Sequence, residues 1–300
     1  MKKGLIDIHI CTRDRPSELT FLLLSLRNQT YKNFRILISD DASGTPINAY
    51  HFLVCVMNRL NDDGNHVYYS RNDFGLGVSK NRQKLVDQSM KDNIAEYILR
   101  VDDDVILEPD YIEKLLKVIN SGYDLASGVT PFIGQAQFKR ESKFLEPVAN
   151  KVILDEEGNF IWNGDDCGLL YYDERILPLH HFRSCALYKR EIHNKVDYSN
   201  RLSKHGFREE QILSFKMIKE GFKLGMHTQA IAWHLLTPSG GERFADSNEL
   251  VRLNEEVMRD FTKKLRKEGD FISDYNKLLG IKVDMPDKEE LTKQTNLIRL

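Results

Sequence analysis

The sequence predicts an α/β fold: a mostly parallel central sheet with helices on both faces, followed by a helical C-terminal segment. The first observation behind this prediction is that short apolar, β-branched segments alternate with segments of helical period, an order typical of a parallel sheet. The second is a change at Ser247, after which the sequence is highly charged and helical in period. We therefore expect one α/β domain with a helical extension.

Each element is predicted from its apolar pattern and from the turn residues that bound it. Alternating or β-branched runs predict strands, and apolar residues three or four positions apart predict helices. The predicted strands are residues 5–12, 34–43, 66–70, 97–101, 124–133 and 229–236, with a hairpin about Glu157 and Gly158 and a strand leading into a helix over 180–192. The predicted helices are 19–30, 47–60, 78–90 and 110–122, with a last helix in the segment 207–226 that ends at Gly221.

Composition limits the function classes. The 300 residues are 41% hydrophobic and 29% charged, with a formal net charge of -2, which gives no general reason to expect nucleic-acid binding. Four cysteines without CxxC spacing indicate neither a zinc site nor a disulfide framework. The apolar run at the N-terminus is short and alternating, so we interpret it as a strand and not a signal peptide. These features predict a cytoplasmic protein, at most peripheral at the inner face of a membrane.

Polar clusters follow four of the predicted strands. In open parallel sheets the ligand lies beyond the carboxyl ends of the strands, so these clusters should converge on one crevice. They are Thr12 with Arg13, Asp40 with Asp41, Arg71 with Asn72, and the group Asp102 to Asp104.

The three consecutive carboxylates are the most informative of these clusters. They end the buried-looking strand YILRV, where like charges need a cation nearby. On a continuing strand Asp102 and Asp104 would share a face, whereas Asp103 would point the other way and need its own partner. Two oxygen ligands on one face suit Mg²⁺ or Mn²⁺. A solvated acidic loop is the alternative, which the apolar strand disfavours.

Three further positions each have a structural and a functional interpretation. Asp40 could accept a hydrogen bond from a base edge or cap the following turn. Glu209 and Glu210 open a helix, where carboxylates favour the dipole, and one of them could serve as a general base. His234, at the end of a strand, could complete a metal shell or merely pack.

Four separated segments together resemble glycosyltransferase family 2, whose members have the GT-A fold, a Rossmann-like arrangement. They are ICTRDRPSELTFLLLSLRNQTYKNFRILISDDAS, NDFGLGVSKNRQK, YILRVDDDV and FREEQILSFKMIKEGFKL, in the order of the family's motifs. The resemblance extends over roughly residues 5–236.

The resemblance implies a role for each matching residue. It makes Glu210 the catalytic base, places Gly221 at the glycine expected after that helix, and implies that Asp104, Asp102 and His234 hold Mn²⁺ or Mg²⁺. The residues implied to bind the nucleotide are Thr12, Arg13, Asp40, Arg71, Arg82, Asp102 and Asp103.

The implied reaction is a single displacement with inversion, from a nucleotide-diphosphate sugar, with UDP the commonest donor, to an acceptor hydroxyl. Arg243, in the glycine-containing stretch TPSGGER, could contact the diphosphate or form part of a lid. The acceptor could be a glycan, a lipid-linked intermediate or another hydroxyl compound. The implied division is 1–110 as the nucleotide-binding half of one domain, 111–246 as the acceptor-binding half and 247–300 as an extension that could dimerise, dock on a membrane or cover the core.

Three alternatives remain at the level of sequence. A sugar-nucleotide nucleotidyltransferase would carry a glycine-rich phosphate loop after the first strand, which CTRDRPSE lacks. A glycoside hydrolase would use paired carboxylates without a nucleotide pocket. A catalytically silent carbohydrate-binding relative would release no diphosphate from any donor.

Overall fold

The computed structural model describes residues 2–135, 139–141, 147–237, 240 and 247–283. In this part of the chain the helices are α1 (Pro16–Arg27), α2 (His51–Asp62), α3 (Val78–Asp92), α4 (Tyr111–Asn120), α5 (Glu209–Lys219), α6 (Ser247–Glu268) and α7 (Phe271–Leu279). The strands are β1 (Lys2–Thr12), β2 (Phe34–Asp40), β3 (Val67–Arg71), β4 (Ala95–Asp102), β5 (Val105–Leu107), β6 (Leu125–Val129), β7 (Lys139–Arg140), β8 (Val152–Leu154), β9 (Phe160–Asn163), β10 (Leu170–Tyr171), β11 (Ile176–Pro178), β12 (Ala186–Lys189) and β13 (Leu224–His234).

One central sheet organises the molecule, in the order β11-β13-β6-β12-β4-β1-β2-β3, with β5 paired to β13. The portion β4-β1-β2-β3 is parallel, whereas β12 runs antiparallel to both of its neighbours, β4 and β6. The α/β fold and the helical C-terminal segment are confirmed, and the complete sheet is mixed. The predicted division at residue 110 falls between β5 and α4, and strands from both predicted halves share this sheet.

Two hydrophobic clusters pack against the sheet, because alternate residues of a strand point to opposite faces. On β4, Ile98 belongs to the cluster that includes α5 and α7, whereas Leu99 and Val101 belong to the cluster with α1 and α4. On β12, Tyr188 and Leu187 divide in the same way. The central strands are therefore buried on both faces, which explains their continuous apolar sequences.

Local patterns located the long elements and missed the short strands β5, β7, β10 and β11. The predicted hairpin is present as β8 and β9, with Gly158 in the left-handed region at φ 86°. The helix expected near residue 190 is instead a short 3-10 turn, Arg190–Asn194. The last strand of the sheet begins at Leu224 and not at residue 229 as expected, because the chain from Leu224 to His227 pairs with β6 and β11.

The C-terminal helices cover part of the core. Met258 and Leu265 of α6 and Phe271, Ile272 and Tyr275 of α7 are buried in the cluster that contains α5. This favours the covering role among the three expected for residues 247–300. Among the described residues, no helix combines the length and the apolar character needed to cross a membrane.

Candidate active site

The carboxyl ends of β1 and β4 meet the start of α5 and the end of β13 at one cavity of about 290 Å³. This is the edge of the sheet at which the sequence predicts a ligand site. The predicted site residues that line it are Thr12, Arg13, Arg82, Asp102, Asp103, Asp104, Glu210 and His234.

The acidic cluster follows the end of β4, and its geometry corrects one expectation. Strand β4 ends at Asp102, and residues 103 and 104 form a turn before β5, so the alternation expected along 102–104 does not apply. All three carboxylates line the cavity. Asp102 accepts a hydrogen bond from Arg82 Nη2, and its Oδ1 lies 3.7 Å from Arg100 Nη2. Burial alone raises the pKa of Asp102, but these two guanidinium groups outweigh it and hold that pKa below its usual value.

Asp103 has the partner that it was expected to need. Arg15 Nη1 donates to its Oδ1 at 2.9 Å, and the hydroxyl of Thr12 donates to its Oδ2 at 2.8 Å. Burial raises the pKa of Asp103 to about 6 despite both contacts. Thr12 is therefore engaged in orienting the acidic turn.

Asp104 and His234 form a pair that suits a divalent cation. His234 Nε2 lies 3.2 Å from Asp104 Oδ1, while Asp104 Oδ2 and His234 Nδ1 are buried without a hydrogen bond among the described residues. Two ligands about 2.1 Å from one octahedral ion, at a right angle, lie about 3.0 Å apart. The separation and chemistry of these two side chains therefore fit Mn²⁺ or Mg²⁺. No group of three or more metal-ligating side chains occurs in the described ranges.

Two glutamates begin α5 and have different surroundings. Glu209 is buried, and its Oε1 accepts from Arg82 Nε at 2.8 Å and from Arg100 Nη2 at 3.0 Å. The side chain of Glu210 is 26% exposed, lines the cavity and accepts from Arg100 Nη2 at 3.4 Å. Burial raises the pKa of Glu210, assisted by Glu209 and Asp102 and opposed by Arg100.

Asp40 lies outside the residues that line this cavity, and its carboxylate is already engaged. It accepts from the backbone N–H of Ser43 at 2.8 Å and of Ile47 at 3.2 Å, and from the hydroxyl of Tyr69 at 2.9 Å. These contacts match the turn-capping interpretation. Arg71 lies beside it, 3.8 Å away, and donates to the carbonyl oxygen of Ser43 at 2.7 Å. Asp41, the residue that follows Asp40, does line the cavity.

The model of a protein family described as "Glycosyl transferase family 2" matches residues 7–197. The chain belongs to glycosyltransferase family 2. Its structure resembles S. aureus TarS 1-349 in complex with UDP-GlcNAc, with a TM-score of 0.57, 13% identity, and coverage of 84% of this chain and 65% of that one. It also resembles GalNAc-T7 with UDP, GalNAc and Mn²⁺, with a TM-score of 0.63, 15% identity, and coverage of 92% and 55%.

These similarities show the shared GT-A fold. The chain spans less than two thirds of the length of the solved structures it resembles. A comparison with curated protein sequences finds no match.

Two arginines at the site of this family 2 protein were not predicted from its sequence. Arg15 lines the cavity and lies two positions after Arg13. Arg100 contacts the cavity residues Glu209 and Glu210 and is a lone charge within the apolar run YILRV. A charge inside a buried strand was the available signal, since such a charge requires a partner. The cavity is also lined by Ser184, His205 and Gly206, which belong to no recognised motif, and by Phe207, the first residue of the segment FREEQILSFKMIKEGFKL. Arg243, predicted to contact diphosphate, lies outside the described residues.

Proposed function

We propose that this protein is an inverting glycosyltransferase that moves a sugar from a UDP-linked donor to an acceptor hydroxyl. The observation that carries the proposal is that Glu210, a carboxylate with a raised pKa, lines the same cavity as Asp102, Asp103 and Asp104. A carboxylate with a raised pKa suits general base catalysis near neutral pH. The neighbouring acidic turn suits a cation-bound diphosphate.

In the proposed mechanism Glu210 accepts the proton of the acceptor hydroxyl as its oxygen attacks the anomeric carbon. The bond from that carbon to the diphosphate oxygen breaks on the opposite side, which inverts the configuration. A divalent cation held by Asp104 and His234 would neutralise charge on the departing diphosphate. Arg82 and Arg100 hold Asp102 and Glu209 around the reacting groups.

The other predicted contacts belong to the donor. Arg13 lines the cavity and is proposed to bind the nucleotide. Arg71 is proposed to contact the base, and Asp40 to hold the adjacent turn through the N–H groups of Ser43 and Ile47. Asp102 remains a candidate metal ligand through water, since Arg82 already occupies one of its oxygens. The acceptor is proposed to approach past His205 and Phe207, which also line the cavity.

The substitution Glu210→Gln tests the base. We expect normal folding and normal UDP affinity, with transfer reduced about 10²- to 10⁴-fold. Thermal stabilisation by a panel of nucleotide sugars with Mn²⁺ identifies the donor, and UDP release in the presence of acceptor measures turnover. Glu220→Gln, at the other end of the same helix and 43% exposed, is the matched control. Near-normal turnover in Glu210→Gln would exclude Glu210 as the catalytic base. If no nucleotide sugar stabilises the protein, the proposed class of donor is excluded.

Asp104→Ala tests the metal site. We expect it to abolish the Mn²⁺-dependent part of UDP binding, because a side chain paired with His234 is removed. Asp110→Ala, a surface carboxylate that is 46% exposed, is the control and should bind UDP as the wild type does. Calorimetric titration with UDP, in the presence and absence of Mn²⁺, measures the UDP affinity of both variants. Retained Mn²⁺ dependence in Asp104→Ala would refute the metal site.

A further inference from the structure

Arg15 lies directly beside the proposed metal position. It is 7% exposed, and its Nη1 is 2.9 Å from Asp103 Oδ1 and 2.9 Å from Asp104 Oδ2. Thr12 holds the other oxygen of Asp103. Asp103 and Thr12 thus fix a guanidinium group next to the carboxylate that is proposed to bind the cation.

The two contacts of Arg15 are of different kinds. The contact with Asp103 is a hydrogen bond, whereas Asp104 Oδ2 is buried without a hydrogen bond among the described residues although Arg15 lies close to it. The attraction to Asp104 is therefore mainly coulombic, and another cation could replace it without loss of a directional bond.

The other arginines at this end of the sheet are committed elsewhere. Arg82 bonds to Asp102 and Glu209, and Arg100 contacts Glu209 and Glu210. Within the described ranges, Arg15 is the arginine in contact with Asp104. A divalent cation at Asp104 would be repelled by this guanidinium at short range until an anion enters between them.

We propose that Arg15 couples metal binding to nucleotide binding: it neutralises Asp104 in the free protein and contacts the diphosphate once the cation has replaced it. This inference rests on the proposed function and adds a positioning role for a residue at that site. It predicts that the free protein binds the cation weakly and that a nucleoside diphosphate restores tight binding. Because such coupling is reciprocal, the cation must strengthen diphosphate binding by the same factor.

The test is a titration of the full chain with Mn²⁺, with and without UDP, in which electron paramagnetic resonance counts the free ion. For Arg15→Met we expect Mn²⁺ binding without UDP about ten-fold tighter than in the wild type, and a coupling factor between Mn²⁺ and UDP about ten-fold smaller. Arg15→Lys retains the positive charge and should stay close to the wild type. Arg13→Met removes a positive charge from the same cavity wall, where Arg13 Nε lies 3.6 Å from Asp14, and should leave Mn²⁺ binding without UDP nearly unchanged.

The possible results separate the inference from the proposed function. Equal Mn²⁺ affinity without UDP in Arg15→Met and the wild type overturns the coupling role and leaves the metal site standing. An equal gain in Arg13→Met also overturns it, because net charge alone would then be responsible. Absence of Mn²⁺ binding by the wild type with UDP present rejects the metal site, and the role of Arg15 falls with it. Arg15→Gln serves as the second variant if Arg15→Met loses its cooperative thermal transition.

Discussion

Two buried networks of charged residues lie on the same sheet and are built differently. At one, Arg35 on β2 donates to both oxygens of Asp7 on β1 at 2.5 and 3.0 Å, and also to Asp92 at 3.0 Å. Ser89 donates to Asp7 at 2.5 Å and lies 2.7 Å from His9 Nε2. None of these side chains has a buried polar atom without a hydrogen bond in the described part of the chain.

The second network surrounds the cavity, and several of its buried polar atoms have no hydrogen bond among the described residues. More than half of the buried side-chain atoms without a hydrogen bond in the described ranges belong to it: Arg82 Nη1, Arg100 Nε and Nη1, Asp104 Oδ2, Glu209 Oε2 and His234 Nδ1. Unmet buried polar atoms cost free energy of folding. The first network is therefore fully paired within the fold, whereas the second retains hydrogen-bonding capacity around the cavity.

The largest expected effect is a difference in the free energy of unfolding when one arginine of each network is replaced. Arg35→Met should lower the free energy of unfolding by about 3–5 kcal/mol, because it leaves the buried carboxylate of Asp7 uncompensated. Arg100→Met should lower it by less than about 1 kcal/mol, because Arg82 still pairs with Glu209 and methionine can pack on Phe182, over which the guanidinium lies at 5.1 Å. Urea denaturation measures both values. Equal losses would show that the two networks do not differ in this way.

The next effect concerns the pH dependence of activity. The proposed base, Glu210, can accept a proton only when it is ionised, so kcat/KM should fall as the pH falls through its raised pKa. Arg100 favours the ionised form, and Arg100→Met should therefore move this acidic limb to higher pH. Glu209, on the same helix, and Asp102, on β4, act in the opposite direction and remain in place.

Initial rates of UDP release between about pH 4.5 and 8 locate the acidic limb, with the range chosen to bracket ordinary and raised carboxyl pKa values. Arg35→Met, measured at a temperature where it is folded, should keep the wild-type position of the limb. A limb that stays in place in Arg100→Met would show that Glu210 is not the titrating base or that Arg100 does not influence it.

The sequence predicted part of the convergence of polar groups and none of their pairing. The carboxyl ends of parallel strands share one edge of the sheet, and Thr12 and Asp102 to Asp104 do line one cavity. Asp40, Arg71 and Asn72, which were expected in the same crevice, are not among the residues that line it. The pairing of Arg100 with Glu209 spans 109 positions and depends on how α5 packs against β4, which no local pattern encodes. The antiparallel insertion of β12 between β4 and β6 was hidden for the same reason.

The turn at 103 and 104 shows a further limit of sequence periodicity. Alternation along a strand applies only while the strand continues, and β4 ends at Asp102. Asp40 illustrates the opposite case, in which a local reason was sufficient. Its carboxylate caps the turn that follows β2 through the N–H groups of Ser43 and Ile47, as aspartate commonly does near serine and glycine.

The smallest expected effect is a difference in KM between alanine substitutions at two glycines in the left-handed region. Gly206 has φ +71°, and a Cβ there would lie 2.8 Å from Val78 Cβ, whereas Gly221 has φ +81° and open space around it. Each substitution by alanine should cost about 1–2 kcal/mol from backbone conformation alone. Gly206→Ala should in addition raise the KM for a substrate, because Gly206 and Val78 both line the cavity and must move apart. Thermal unfolding and steady-state kinetics measure the two quantities, and an equal KM in both variants would show that this wall does not contact a substrate.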